Sequence, residues 1–196
     1  MMRRRGFLAG TAMAAMTGLA GCSPAATQYR LELLPGPVLG GAGLAVGVRS
    51  VNVPGYLDQN EIVKSGAAYQ LSNYPNDVWA DSLADMLQDV MVQDLAQRLP
   101  AATVIASGGA IGAPVGVVVE MNVLRFDPGA DGDIRLDTQI SVRRGEDARH
   151  WRTVNFARDA MPDGDGPVGI VAAMSRLWGE AADQVAALLV MTDGAS

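Results

Sequence analysis

The chain offers one thiol, Cys22, and one imidazole, His150, so any chemistry in its 196 residues must begin there. A single thiol closes no internal disulfide and shares no metal with a second sulfur. His150 sits in a charged stretch with Arg149 and Arg152. It cannot build a histidine metal site alone, and a triad would need a serine and a carboxylate beside it, so a surface histidine is the simpler reading. Asp127, Asp131 and Asp133 with Gly132 faintly resemble a calcium loop, but Thr138 stands where the bidentate acid should close the cage. A solvated hairpin turn fits them better. Asp81, Asp85 and Asp89 recur every four residues and share one helix face. Paired-carboxylate catalysis could use such a row; the wet side of a helix explains it more simply. Gly108-Gly109-Ala110-Ile111-Gly112 lacks the spacing of a dinucleotide loop, and no serine occupies a G-x-S-x-G elbow. Nothing in these residues specifies a catalytic centre, a cofactor or a metal site.

Cys22 gains a use from its neighbours. It ends Leu19-Ala20-Gly21-Cys22, which resembles the lipobox of bacterial lipoproteins: cleavage falls between Gly21 and Cys22, and the new terminal cysteine is acylated. Arg3, Arg4 and Arg5 precede an apolar run from Gly6 to Gly21, shorter than the about 20 residues a spanning helix needs. Arg4-Arg5-Gly6-Phe7-Leu8 also resembles a twin-arginine export signal, although an ordinary Sec start accounts for the same arginines. Residues 1–21 then read as a signal peptide, 22–28 as a lipidated tether and 29–196 as a single domain. One acyl chain binds only marginally, so the several chains of a lipoprotein cysteine imply lasting attachment. Ser23 stands where the common inner-membrane retention signal has Asp. That sorting rule implies the outer membrane, with the domain facing the periplasm. Ser23 to Gln28 spans at most about 20 Å, which keeps the domain near its bilayer.

From Cys22 onward the chain has 175 residues, enough for one domain with a substantial core. Without the three leading arginines it carries 12 basic against 21 acidic side chains, and Lys64 is its single lysine. Such a balance suits neither nucleic acid nor anionic headgroups. Glycine and proline punctuation, as at Pro35-Gly36-Pro37, Pro75-Asn76-Asp77 and Pro162 to Pro167, marks loops of one domain rather than linkers.

Tyr29 to Leu34 reads as a first strand and Leu44 to Val53 as a second. In the second, the apolar face switches near Arg49-Ser50, which implies a bulge or a change of cover. Glu61 to Lys64 and Ala68 to Asn73 suggest a hairpin. Leu83, Met86, Leu87, Val90, Met91 and Leu95 stripe a helix from Val78 to Leu99, with Asn76 or Asp77 as its cap and Pro100 as its stop. Ala102 to Ala106 reads as a strand. A meander then follows, through Val115 to Val123, Ile134 to Arg143 and Trp151 to Arg158. A second helix from Val168 to Met191 presents Val171, Met174, Leu177, Trp178, Ala181, Val185 and Leu188 on one side. These elements predict an α+β fold, a mixed, largely antiparallel sheet with two long amphipathic helices packed on one face.

Three segments carry a further likeness. Val46 to Asp58, containing Val53-Pro54-Gly55-Tyr56-Leu57-Asp58, then Glu61-Ile62-Val63, resembles the start of the PqiC-like family of ABC-type transport auxiliary lipoproteins. Val78-Trp79-Ala80-Asp81-Ser82-Leu83, leading to Asp94-Leu95-Ala96-Gln97-Arg98-Leu99-Pro100, is the second segment, and Val123-Leu124-Arg125-Phe126-Asp127 the third. The chain departs from the family pattern at Gln59-Asn60-Glu61, where Arg-Pro-Gln is common, and at Val78 and Ser82 around the tryptophan. The resemblance implies a non-enzymatic subunit of an MCE-type lipid transport system. Its partner would be an MCE-domain protein, its anchor the acyl chains on Cys22, and its role docking or assembly. By analogy with the symmetry of such systems it implies homo-oligomerisation. Tyr56 and Leu57 are the candidate partner contacts, equally readable as core, and Trp79 is a third candidate that more often belongs to a core. A lipoprotein carrying lipid in its own cavity is the alternative, and requires an apolar cavity of some hundreds of Å³.

Overall fold

The computed structural model describes residues 25–40, 43–67, 69–145 and 151–193. The strands are β1 (Thr27–Tyr29), β2 (Ala45–Val48), β3 (Glu61–Ser65), β4 (Leu71–Trp79), β5 (Thr103–Ala106), β6 (Val117–Pro128), β7 (Ile134–Arg144) and β8 (Trp151–Ala160). The helices are α1 (Leu83–Arg98) and α2 (Gly166–Asp193). Two mixed sheets form rather than one. A five-stranded sheet runs β5-β2-β6-β7-β8, and a three-stranded sheet runs β1-β4-β3. β2 lies parallel to both β5 and β6, while β6, β7 and β8 make the antiparallel meander.

Alternation decides which face of the large sheet is dry. Ile134, Leu136, Thr138, Ile140 and Val142 on β7 are all buried, and Val117, Val119, Met121 and Val123 on β6 meet them. This face packs on α2, whose Val171, Met174, Leu177, Trp178, Ala181, Val185 and Leu188 are buried as their helical spacing predicts. α1 packs on α2 and on β2 and β5, so sheet and helices share one core. Trp178 joins the layers: its ring lies 6.0 Å from that of Phe126, and its Nε1 donates to the Leu87 carbonyl at 3.0 Å.

The face switch near Arg49-Ser50 is a bulge. Val48 is aligned with Val119 and Asn52 with Asn122, so four steps on one strand match three on the other. One residue is extra, and Val51 can therefore point inward as Val48 does. β2 itself ends at Val48, whose carbonyl accepts from Gln88 Nε2 at 2.8 Å and from the Ser107 amide at 2.7 Å.

Two expected elements are placed differently. The first strand is only Thr27–Tyr29; residues beyond it cross the helices as an irregular strap. The first helix starts at Leu83, not Val78. Pro75, Asn76 and Asp77 neither form a loop nor cap a helix, because β4 absorbs them. Between Asn73, paired with Val63, and Val78, paired with Glu61, β4 advances five residues while β3 advances two. Asn76 there has φ 67°, a left-handed conformation that asparagine tolerates, and proline, with no N–H to give, fits such an irregularity. The helix cap is Ser82, whose hydroxyl accepts the Asp85 amide at 3.1 Å.

Candidate functional site

The segments that carry the sequence likeness meet inside the fold. Tyr56 is half-buried in the loop after β2, where the Leu57 amide donates to the Pro54 carbonyl at 2.9 Å to close a turn. Its hydroxyl donates to Asp127 Oδ1 at 2.9 Å across a separation of 71 residues. Asp127, at the end of β6, is wholly buried. Its second oxygen accepts from the Ser65 amide at 3.2 Å and from the Ser65 hydroxyl, and Arg125 Nε donates to Oδ1 at 3.2 Å. A carboxylate buried this deeply needs such partners. Desolvation, then the Asp127 charge beside it, pushes the Tyr56 phenol well above the ordinary tyrosine range, so it stays a donor. Asp127 is thus turned into the body to fasten the two sheets, whereas Asp131 lies exposed in the turn. Among the described residues no group of three or more metal-ligating side chains forms.

Leu57 and Trp79 are core residues in this structure, both buried. Trp79 ends β4 rather than opening a helix, and its amide donates to the Asn60 carbonyl at 2.7 Å. Neither offers the exposed apolar contact that the sequence allowed them, and Tyr56 offers it only in part. Cys22, Gly21, Arg4, Arg5 and His150 lie outside the described residues.

The second segment makes another fastening, which sequence reasoning missed. Asp94 and Arg98 look like an ordinary surface pair at the end of α1, but both are buried. Arg98 Nη1 donates to Asp94 Oδ1 at 3.1 Å and to the Leu34 carbonyl at 3.2 Å. Nη2 donates to the Gly179 carbonyl at 2.9 Å, and Nε to Asp183 Oδ1 at 2.5 Å. One guanidinium therefore joins α1, α2 and the strap. Gln97 clamps the strap next door, accepting the Gly36 amide at 2.9 Å and donating to the Gly36 carbonyl at 3.2 Å. A Cβ at Gly36 would lie on the Arg98 guanidinium. Burial raises the Asp94 carboxyl to about 6, against the lowering pull of Arg98, and its Oδ2 has no hydrogen-bond partner. Asp85 and Asp89 lie on the wet face of α1, whereas Asp81 stands exposed before the helix and accepts the Ser82 amide at 2.7 Å, so the row of three expected on one helix face does not form.

What remains for a partner is surface. The far face of the large sheet carries a polar groove of about 440 Å³ lined by residues including Arg49, Asn52, Glu120, Asn122, Gln139 and Trp151. Asn52 donates to Asn122 at 2.6 Å and Asn122 to Gln139 at 3.1 Å, so the amides run as a ladder across the strands. The β3–β4 hairpin presents Tyr69, fully exposed with φ 67°, and Leu71, half exposed. Beside it Lys64 Nζ stands 4.6 Å from the Tyr74 ring. A third surface, the most apolar of these, is a groove of about 470 Å³ where β1 and the strap pass the start of α2. The buried apolar side chains of sheets and helices pack against one another in one cluster.

Residues 32–186 match the family described as the ABC-type transport auxiliary lipoprotein component. The chain belongs to that family. A protein of Xanthomonas campestris from the family DUF330 shares its fold at a TM-score of 0.68 and 18% identity, covering 86% of this chain and 97% of that one. A second solved structure, of an uncharacterised protein, superposes at a TM-score of 0.70 and 20% identity, covering 83% and 97%. A comparison with curated proteins finds no significant match. As a family member the chain is an auxiliary component of transporters and of lipoprotein type. Among the described residues no helix is long and apolar enough to cross a membrane.

Proposed function

We propose that this protein is the lipid-anchored periplasmic subunit of an MCE-type lipid transport system, held by acyl chains on Cys22 at the outer membrane and acting as a docking or assembly component rather than as an enzyme. One observation carries the reading. Residues of the segments that carry the family likeness are spent as internal fasteners, Tyr56 on Asp127 and Arg98 on the strap and α2, while exposed aromatic and aliphatic side chains stand on the β3–β4 hairpin. A domain built this way offers surface, not chemistry. Tyr69 and Leu71 on that hairpin take over as partner contacts from the buried Leu57 and Trp79, since a tyrosine brings a large rigid ring and has only two χ angles to fix when it anchors in a pocket.

The test is site-specific photocrosslinking in cells from Tyr69 and Leu71, with Asp89 on the wet face of α1 as control. The expected product is an adduct with an MCE-domain protein from the hairpin positions alone. Adducts only between copies of this chain, or equal yields from Asp89, would overturn the docking role. Anchoring is tested separately: Cys22→Ser should remain unprocessed or leave the membrane, and a processed, membrane-bound variant would refute acylation at that residue.

A further inference from the structure

The start of the domain is fixed to the body, and that decides which end faces lipid. β1 pairs in parallel with β4 from Thr27 onward, and the Tyr29 hydroxyl donates to Asp77 Oδ1 at 3.0 Å. The Glu32 amide donates to Ser175 Oγ at 3.1 Å, so the strap is held on α2. Cys22 precedes Thr27 by five residues. Fully extended, these reach at most about 18 Å. An acylated Cys22 therefore brings the surface around Thr27 to the bilayer, whichever way the rest of the molecule turns.

That surface suits a lipid interface. It holds the groove of about 470 Å³, walled by Leu34, Val168, Val171 and Ala172. Val168, in the first turn of α2, is 67% exposed, and Met161, in the turn leading to that helix, is 74% exposed. The two belong to one patch. The Asp163 amide donates to the Gly169 carbonyl at 3.0 Å, and Arg176 Nη2 donates to the Met161 carbonyl at 3.3 Å. Charge at this end is mostly paired. Arg176 holds Asp163 at 2.9 Å, which keeps that carboxyl below the ordinary aspartate range, and Arg30 lies 3.5 Å from Glu32. Asp165 adds a negative charge, and no cationic excess exists to seek anionic headgroups. Exposed apolar groups among paired charges favour the interface of a zwitterionic leaflet.

We infer that this end of the domain, comprising the start of β1, the β8–α2 turn and the first turn of α2, rests in the headgroup region of the leaflet holding the Cys22 acyl chains, with Met161 and Val168 inserted. This rests on the reading of Cys22 as acylated. The contact fixes the orientation of the domain, not only its distance from the membrane.

Acylation consumes the thiol of Cys22, so a cysteine introduced elsewhere is the one free thiol of the full chain. Met161→Cys, Val168→Cys, Tyr69→Cys and Ile111→Cys, each carrying an environment-sensitive fluorophore, are reconstituted in vesicles of zwitterionic phosphatidylcholine containing lipid nitroxides near the headgroup. Positions 161 and 168 should shift to the blue and be quenched several-fold more strongly than 69 and 111, and adding anionic lipid should not be required. Mass spectrometry of the same samples reports acylation. Acylated protein in which 161 and 168 behave like 69 and 111 overturns the inference and leaves the anchor standing. A need for anionic lipid overturns the zwitterionic contact. Unmodified Cys22 overturns the anchor, and the inference with it.

Discussion

Removing the guanidinium of Arg98 should be among the most damaging single changes available in this fold, and its cost should depend on pH. In Arg98→Met the aliphatic stem is kept, while Asp94, wholly buried, loses the cation 3.1 Å away. Breaking a buried pair this way costs about 3–5 kcal/mol. If the stranded carboxyl takes up a proton instead, the parent already carries the part of that cost up to about 6, so the further loss from linkage is about 1.4 kcal/mol at pH 7 and grows as pH rises. The carbonyls of Leu34 and Gly179 also lose their donor. The sign with pH follows. In the parent, burial holds Asp94 at about 6, above its unfolded value, so the folded state binds the extra proton between these values. Its contribution is most favourable below about pH 4 and is lost as pH rises through 6. In the variant the carboxyl moves higher still, so the loss continues to higher pH. The lost donors to Leu34 and Gly179 set a cost present at every pH, and the difference between parent and variant should be larger at pH 8 than at pH 5 by up to about 3 kcal/mol, read by urea unfolding with tryptophan fluorescence. Adding Asp94→Asn to Arg98→Met should recover much of the loss at pH 8. A variant within about 1 kcal/mol of the parent at pH 8, or one equally destabilised at both pH values, would refute this account of the pair.

Two further substitutions test the other fastenings. Tyr56→Phe removes a donor to the buried Asp127 carboxylate, which keeps Ser65 and Arg125; the expected cost is about 1.5 kcal/mol, by chemical denaturation. Gly36→Ala drives a methyl group onto the Arg98 guanidinium while Gln97 holds the strap in place, and should cost about 1–3 kcal/mol. Because the clash is with Arg98 itself, Gly36→Ala should cost less in the Arg98→Met background; strict additivity would show that the glycine is needed for another reason.

The sequence revealed what is periodic and local, and concealed what depends on remote partners. The alternation of β7 and the stripe of α2 are written in successive side chains, and each residue named from them is buried as expected. The placing of Trp79 failed because Val78-Trp79 abuts the apolar stripe of α1 and looks like its beginning, although Ser82 with Asp85 is the usual arrangement of a helix start. Pro75 and Asn76 read as punctuation because only the pairing with β3 shows that one strand runs through them. Asp94 and Arg98, four residues apart, carry no local sign that the strap and α2 close over them. Asp127 read as a turn residue because Tyr56 is 71 positions away. The separation into two sheets likewise lies in parallel pairings between distant strands.

These fastenings also explain why the chain can depart from the family pattern without losing the fold. At Gln59-Asn60-Glu61 the Asn60 carbonyl accepts the Trp79 amide, a contact any residue can make, and the Gln59 side chain adds its own bond to the Tyr56 carbonyl at 2.6 Å. Ser82, the departure after the tryptophan, supplies a cap of its own. Changes at Tyr56, Asp127, Gly36 or Arg98 have no such freedom, because the side chain, or its absence at Gly36, is the contact. The side chains that hold this scaffold together are thus committed to internal contacts, and a partner or membrane can be met only where side chains are unspent. In this chain those places are the Tyr69–Leu71 hairpin and the Met161–Val168 end, and partner choice and membrane orientation are the properties such places can set.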